Sequence, residues 1–230
     1  MTTRTVPNRA RLQSLTLFGF PVALVVSDLL LSGLAADDSA GYLANVADNR
    51  GRLLAGSILG MVTALLFVAV AQAVSERLAP TAHRWAWYAK LVAWVGMFSG
   101  YAINAAGLFD WARTDPSLDP AQMAKLGDVL AEPAVFLPLY NPGLLAPLGV
   151  LALGVGLWRT RAVAPWLSRV IVAAAVAFPM GQIADFVPAQ IASASLFLAV
   201  AIGLVRSAAS AGAPTDRVVP APLTAARAAR

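Results

Sequence analysis

The sequence contains no cysteine and only one histidine among its 230 residues. Without cysteine the chain cannot form a disulfide, and it has no thiolate nucleophile, cysteine-ligated metal or iron–sulfur cluster. A single histidine is too few for bis-histidine haem ligation or for a zinc site that needs two histidines. We therefore expect no metal ion and no cofactor.

Charged residues are scarce as well, at 13% of the chain against about 25% in an average soluble domain. Hydrophobic residues make up 59%, and the mean hydropathy is +0.70. A water-soluble protein of this size could not bury so much apolar surface in its interior. The composition predicts an integral membrane protein, and it excludes a disordered chain and a nucleic-acid-binding domain.

Six apolar segments approach or exceed the roughly 20 residues that a helix needs to cross the hydrocarbon core. They are Leu15–Leu34, Leu53–Val74, Trp85–Phe109, Ala134–Trp158, Pro165–Phe186 and Ala189–Val205. The predicted fold class is all-α, a polytopic transmembrane helix bundle of six spans over residues 14–206. We expect residues 1–13 to form a cytoplasmic N-terminus and residues 207–230, rich in Ala, Pro and Arg, to form a disordered cytoplasmic tail.

The basic residues predict the orientation of the spans. With the N-terminus in the cytoplasm, 13 of the 17 Lys and Arg residues fall on the cytoplasmic side. The remaining four are Arg50, Arg52, Arg113 and Lys125. An even number of spans with both termini inside satisfies the positive-inside rule in every loop. The net charge of +5 is therefore a topology signal, and we expect a protein of the inner (plasma) membrane whose partners are membrane lipids.

Polar side chains inside the spans gather in the predicted outer half. Asp28, in the first span, is the clearest ionisable group within the membrane. The others at comparable depth or near the outer boundary are Tyr101, Asn104, Asp110, Glu132, Tyr140, Asn141, Gln182 and Asp185. Because polar groups that face lipid without a partner are costly, we expect these to converge in a cavity within the bundle. The alternative is a hydrogen-bonded clamp between helices that binds no ligand.

Prolines and a capping pattern predict irregular backbone on the same side. Asp119 before Pro120 is typical of a helix N-cap followed by proline at the first helical position, which predicts a short amphipathic helix. Pro138, Pro142 and Pro147 each remove a backbone donor from the fourth span. Their spacing predicts a kinked or partly unwound half-helix, which either lines a cavity or merely bends the span.

Three functions are consistent with this pattern. In the first, the cavity binds or handles a lipid or a small hydrophobic or cationic ligand through Asp28, Tyr101, Asn104, Tyr140, Asn141, Gln182 and Asp185. In the second, Asp28 pairs with Asp185 or Glu132 for acid–base catalysis on an isoprenoid or lipid. Such a mechanism resembles that of the small integral-membrane terpene cyclases. In the third, the protein is a structural or regulatory membrane subunit.

Two stretches carry a resemblance to a known family. Asn45 and Arg52 belong to an N-x-x-x-x-x-x-R stretch that leads into a long second helix, a short polar turn and a third helix. A later turn matches at Gly156, Arg159, Pro165 and Leu167. Thr160 stands there where serine is usual. Over roughly residues 15–205 the chain resembles a widespread bacterial and archaeal multipass family described only as a domain of unknown function. This resemblance implies a six-helix bundle and no particular activity.

Overall fold

The computed structural model describes residues 6–183 and 187–212, which are helical almost throughout and contain no strand. The helices are α1 (Val6–Leu31), α2 (Ser39–Asp48), α3 (Arg50–Arg113), α4 (Pro120–Ala131), α5 (Pro133–Tyr140), α6 (Leu145–Thr160), α7 (Pro165–Ile183) and α8 (Val187–Gly212). A 3₁₀ turn, Asn141–Leu144, joins α5 to α6. The predicted all-α class is confirmed.

Four helical stretches are long and apolar enough to cross a membrane. They are Arg11–Leu31, Arg50–Arg113, Asn141–Thr160 and Val187–Ala208, and a shorter apolar stretch spans Pro165–Met180. Large apolar side chains also cover the outside of the bundle, where Leu15 is 70% exposed and Phe98 is 68% exposed. Such a surface is stable against lipid rather than water. Length and surface both indicate a membrane protein.

The longest helix, α3, is a hairpin with two arms. Ala82 leaves helical geometry at φ −149° and ψ 65°, two residues after a proline inside the helix. The arms on either side of Ala82 run back along one another. Ser75 Oγ donates a hydrogen bond to the Ala86 carbonyl, and Trp94 Nε1 donates one to the Val68 carbonyl, both at 3.2 Å. The second and third predicted spans are therefore the two arms of one helical element.

Glycines set the distance between α6 and the second arm of α3. A β-carbon at Gly96 would overlap the Ala146 amide nitrogen, and one at Gly149 would overlap the Ala93 amide nitrogen. In both cases the obstacle is backbone, which cannot rotate away. The two helices therefore touch backbone to backbone, as small residues allow between membrane helices.

Four phenylalanine side chains pack against one another in the middle of the bundle. Phe20, Phe67, Phe178 and Phe197 come from α1, α3, α7 and α8. Their ring centroids lie 4.9–6.0 Å apart in stacked and edge-to-face pairs. Contacts of this kind add to the stabilisation that apolar burial provides. They hold four elements around one apolar centre.

Two short helices, α2 and α4, lie at the end of the bundle opposite Ala82, which we call the cap end. Asp119 accepts a hydrogen bond from the Ala121 amide at 2.9 Å and Pro120 begins α4, which confirms the predicted capped helix. Asp38 caps α2 by accepting from the Gly41 amide at 2.6 Å. The sequence patterns did not predict α2, although an aspartate before Ser39 is a normal N-cap signal.

The fourth predicted span is broken as its prolines indicate. Its cap-end half is the eight-residue helix α5, which carries Pro138 inside it, followed by the 3₁₀ turn that contains Pro142. Regular α-helix resumes only at Leu145. Proline cannot donate to the preceding turn, so the backbone tightens or unwinds there. The prediction of a partly unwound half-helix is confirmed.

The helices at the two ends differ in length from the predicted segments. Helix α1 begins at Val6, within the stretch assigned to a cytoplasmic N-terminus. Helix α8 continues to Gly212, six residues past the predicted boundary at residue 206. The rest of the predicted tail, residues 213–230, lies outside the described residues, as do residues 184–186 at the end of the fifth predicted span.

Replacing Gly96 with alanine should destabilise the bundle. The added methyl group would meet the backbone of α6, and overpacking of this kind costs roughly 1–3 kcal/mol. Gly51→Ala is a matched control in the same helix, because a β-carbon there has nothing within 4 Å. Thermal unfolding in nanodiscs should show a lower Tm for Gly96→Ala and an unchanged or higher Tm for Gly51→Ala. Equal Tm values for the two variants would contradict the close contact.

Candidate functional site

Two adjoining cavities occupy the cap-end half of the bundle. The deep cavity, of about 310 Å³, lies between α1, both arms of α3, the α5–α6 region and α7. The cap cavity, of about 910 Å³, continues from it toward α2 and α4. Five residues line both cavities: Asp28, Leu31, Ile103, Asn104 and Tyr140. We call these five residues the neck, and the two cavities together the chamber.

The deep cavity is mainly apolar. Leu24, Ala64, Met97 and Phe178 are among its lining residues. Phe178 also stacks on Phe67 at 5.7 Å, which places the phenylalanine cluster against one wall of the cavity. A molecule in this cavity would contact hydrocarbon and aromatic surface below the neck.

The cap cavity is lined by acidic residues. Asp37, Asp38 and Asp128 lie on its exposed rim, and Asp110 lies deeper. Arg113 is the one basic residue in this lining, and its guanidinium pairs with Asp110 at 2.7 Å. With Asp28 at the neck, acidic groups outnumber basic ones in the cavity wall, and a cleft lined by one sign of charge attracts ions of the opposite sign.

Asp28 reaches the neck because the end of α1 is held in place. Ser27 Oγ donates to the Gly56 carbonyl at 3.1 Å and thereby fixes α1 against α3. Arg52 Nη2 donates to the Ser32 carbonyl at 3.0 Å, beyond the last turn of α1, where a cation also interacts favourably with the helix dipole. Asp28 is half-buried in this position.

Asn104 enters the neck because the facing residue on the other arm of α3 is Gly60. A β-carbon at Gly60 would overlap the Asn104 Oδ1 atom, so any larger residue there would displace the carboxamide. Asn104 Nδ2 donates to the Gly100 carbonyl one turn earlier at 2.8 Å. This bond engages one of the two N–H groups of Nδ2, so Asn104 offers Oδ1 and the other N–H to the chamber.

Three predicted site residues do not line the chamber. Tyr101 follows Gly100 by one position and is turned about 100° away from the lining face of its helix, with 39% exposure. Asn141 follows Tyr140 into the 3₁₀ turn, where each residue rotates by about 120°, and it is exposed. Glu132 joins α4 to α5 in an extended conformation before Pro133 and is exposed too. The structure therefore does not bring these three predicted site residues into the chamber.

The remaining predicted site residues cannot be placed. Asp185 and the side chain of Gln182 lie outside the part of the chain that the structure describes. Of the predicted set, the described residues bring together Asp28, Asn104 and Tyr140, which come from α1, α3 and α5. Among those residues no group of three His, Asp or Glu side chains is arranged to hold a metal ion.

A polar cluster ties the cap helices to α3. Tyr42 Oη donates to Asp110 Oδ2 at 3.0 Å, and Arg113 Nη1 donates to Asp110 Oδ1 at 2.7 Å. Arg113 Nη2 also donates to the Met123 carbonyl of α4 at 2.7 Å. Burial raises the pKa of the Tyr42 phenol above its usual range, and the adjacent Asp110 carboxylate adds to that effect. We call Tyr42, Asp110 and Arg113 the latch.

Sequence reasoning missed the latch because Arg113 was counted only as a loop cation. The three-residue spacing between Asp110 and Arg113 is one sign that they pair on a single helix face. Gly127 in the middle of α4 is a second sign, since a β-carbon there would overlap Arg113 Nη2. Nothing in the local sequence identifies Tyr42, which lies 68 residues before Asp110.

Tyr42→Phe should change the alkaline stability of the protein. A phenol whose pKa is raised by folding stabilises the protein fully below the unfolded pKa of about 10, and that stabilisation is lost as the pH rises further. Tyr42→Phe lacks the ionisable group, so its Tm should fall less than that of the wild type above about pH 10. Tyr88→Phe, at an exposed position near the Ala82 end, is the control. Parallel Tm profiles for Tyr42→Phe and the wild type would contradict the latch.

The residues that carry the family resemblance have structural roles. Asn45 Nδ2 donates to the carbonyls of Leu34 and Ala35 at 3.5 Å, and Arg52 holds the end of α1 as described above. Both residues therefore fix the connection from α1 to α2, next to the neck. At the other end of the bundle, a β-carbon at Gly156 would press on Leu78 and Trp85, so this glycine permits close packing of the turn.

Comparison with known proteins identifies the family of the chain. No curated protein and no solved structure matches the chain. A domain of unknown function, DUF4386, matches residues 14–209, which is most of the 230-residue chain. The match confirms the predicted resemblance to an uncharacterised family. The chain therefore belongs to the DUF4386 family.

Proposed function

We propose that this membrane protein binds a lipid or another small hydrophobic molecule, hydrophobic cations included, in the chamber. The observation that carries the proposal is the convergence of Asp28, Asn104 and Tyr140 on one neck between two cavities. Their helices are far apart in the sequence. A chamber of this size, with apolar walls and a few convergent polar groups, has the usual features of a small-molecule site.

The proposed topology has six spans with both termini in the cytoplasm. The two arms of α3 count as two spans, and the shorter apolar helix Pro165–Met180 joins the three other membrane-length helices. Two pairs of basic residues indicate the orientation. Arg77 and Arg84 lie near Ala82, and Arg159 and Arg161 lie at the turn after α6. By the positive-inside rule these regions face the cytoplasm, so the cap end and the chamber face the outside.

The position of Glu132 favours binding over acid–base catalysis by an Asp28–Glu132 pair, whereas the other predicted partner, Asp185, lies outside the described residues. A membrane-embedded acid–base enzyme needs a second carboxyl group that faces the same substrate as Asp28. Glu132 is exposed at the α4–α5 junction, and Asp110 is engaged with Arg113 and Tyr42. Binding requires only the groups that line the neck.

The proposal is tested by identifying the lipids that co-purify with wild-type protein and with two chamber variants. Gly100→Leu should fill the deep cavity, because a β-carbon at Gly100 meets only the flexible Met97 side chain, at 3.6 Å. Asp28→Asn removes the charge at the neck. Mass spectrometry should find a species enriched over bulk lipid in the wild type, lost in Gly100→Leu and reduced about tenfold in Asp28→Asn.

Matched controls separate binding from folding. Gly19→Leu makes the same replacement outside the chamber, where a β-carbon meets Leu66 at the same 3.6 Å. Asp48→Asn removes an exposed aspartate of α2 that lines neither cavity. Both controls should keep the wild-type lipid profile. If the profile is the same in all five proteins, and their Tm values show that all are folded, the proposed function is wrong.

A further inference from the structure

We propose that the ligand is an amphiphile with an ammonium head, which binds at the neck while a single apolar tail extends into the deep cavity. This inference rests on the proposed function and specifies its ligand class. It combines three observations: the hydrogen-bonding character of the neck, the charge of the cap cavity and the size of the deep cavity.

The neck offers mainly hydrogen-bond acceptors. Asp28 contributes a carboxyl group, and Asn104 contributes Oδ1 together with the one N–H of Nδ2 that is not bonded to the Gly100 carbonyl. Tyr140 adds a hydroxyl group, which can accept as well as donate. A ligand group that satisfies several acceptors at once is a multiple donor, and an alkylammonium carries up to three N–H groups.

The surroundings favour a cation over a neutral donor. Asp37, Asp38 and Asp128 line the path from the rim toward the neck, and the cation Arg113 is paired with Asp110. An anionic head would be repelled by these carboxylates, whereas a cation would be attracted along the cavity. At the depth of Asp28 a charge interaction is stronger than in water because the effective dielectric constant is lower.

The deep cavity determines the tail. Its volume of about 310 Å³ corresponds to about ten groups of the size of a water molecule, at roughly 30 Å³ each. Its apolar lining and the wall formed by Phe178 suit hydrocarbon. A single chain of about ten carbons therefore fits below the neck, whereas the two long chains of a bilayer phospholipid do not.

The test uses three probes that share a decyl chain and differ in the head: decylamine, 1-decanol and decanoate. Each is titrated into the protein in nanodiscs of zwitterionic lipid, and the affinity is obtained from the rise in Tm. Because each probe partitions into the same membrane for every variant, ratios between variants cancel the partitioning. Wild-type protein should bind decylamine more tightly than 1-decanol, and decanoate most weakly.

The variants assign the preference to the neck. Asp28→Asn should reduce the preference for decylamine over 1-decanol about tenfold, and Asn104→Ala should reduce it by a smaller factor. Asp48→Asn should leave it unchanged. Asn104→Ala keeps the test valid if Asp28→Asn fails to fold, because the only hydrogen bond that Asn104 makes in the described part of the chain is to its own helix.

The outcomes separate the two proposals. If all three probes bind equally and Gly100→Leu abolishes their binding, the ammonium assignment is wrong and the chamber still binds ligands. If the preference for decylamine over 1-decanol is as large in both neck variants as in the wild type, the neck does not recognise the head, and the inference is overturned. If no probe binds, or if Gly100→Leu binds the probes as tightly as the wild type does, the proposed function is wrong as well.

Discussion

The cost of placing a carboxyl group within a membrane governs the rest of this structure. An ionisable side chain at the depth of Asp28 is stable only if the protein surrounds it with polar groups or water, because hydrocarbon cannot solvate it. The chain meets this requirement with the neck, where Asn104 and Tyr140 join Asp28 from two other helices. Gly60 leaves the space for Asn104, and Arg52 fixes the end of α1 that carries Asp28.

The same requirement explains the division of the bundle. Below the neck, the phenylalanine cluster and the close contact between α6 and α3 form an apolar centre, which supplies the packing that membrane helices need. Above the neck, the broken helix α5 and the latched cap helices leave open volume lined by polar groups. Irregular backbone is tolerated at membrane depth where it lines such a cavity. The chamber therefore explains why the chain can form a 3₁₀ turn at Asn141.

The sequence predicted features that depend on composition or on local spacing. Apolar runs of membrane length identified the helices, Asp119 with Pro120 identified α4, and the prolines of the fourth span identified its break. The sequence grouped Asp28, Asn104 and Tyr140 by their depth in the predicted spans, and all three line the neck. Depth alone does not say which way a side chain points, however. Tyr101 and Asn141 share that depth and face away, because a rotation of about 100° or 120° per residue separates them from the lining face.

The latch could not be predicted from the sequence for a different reason. Tyr42 and Asp110 meet only through the packing of α2 on α3.

The central claim, a chamber that opens at the cap end and continues past the neck into the deep cavity, can be tested because the protein has no native cysteine. Single cysteines are introduced at Gly143 in the deep cavity, at Asp128 on the rim and at Ala174 in the fully buried core. A β-carbon at Gly143 has its nearest neighbour at 3.8 Å, so the cavity accommodates the new side chain. A small hydrophilic thiol reagent should modify Asp128→Cys fastest, Gly143→Cys more slowly and Ala174→Cys not at all, and Gly100→Leu should block the reaction at Gly143→Cys. An unreactive Gly143→Cys in a protein whose Asp128→Cys reacts readily would contradict the chamber.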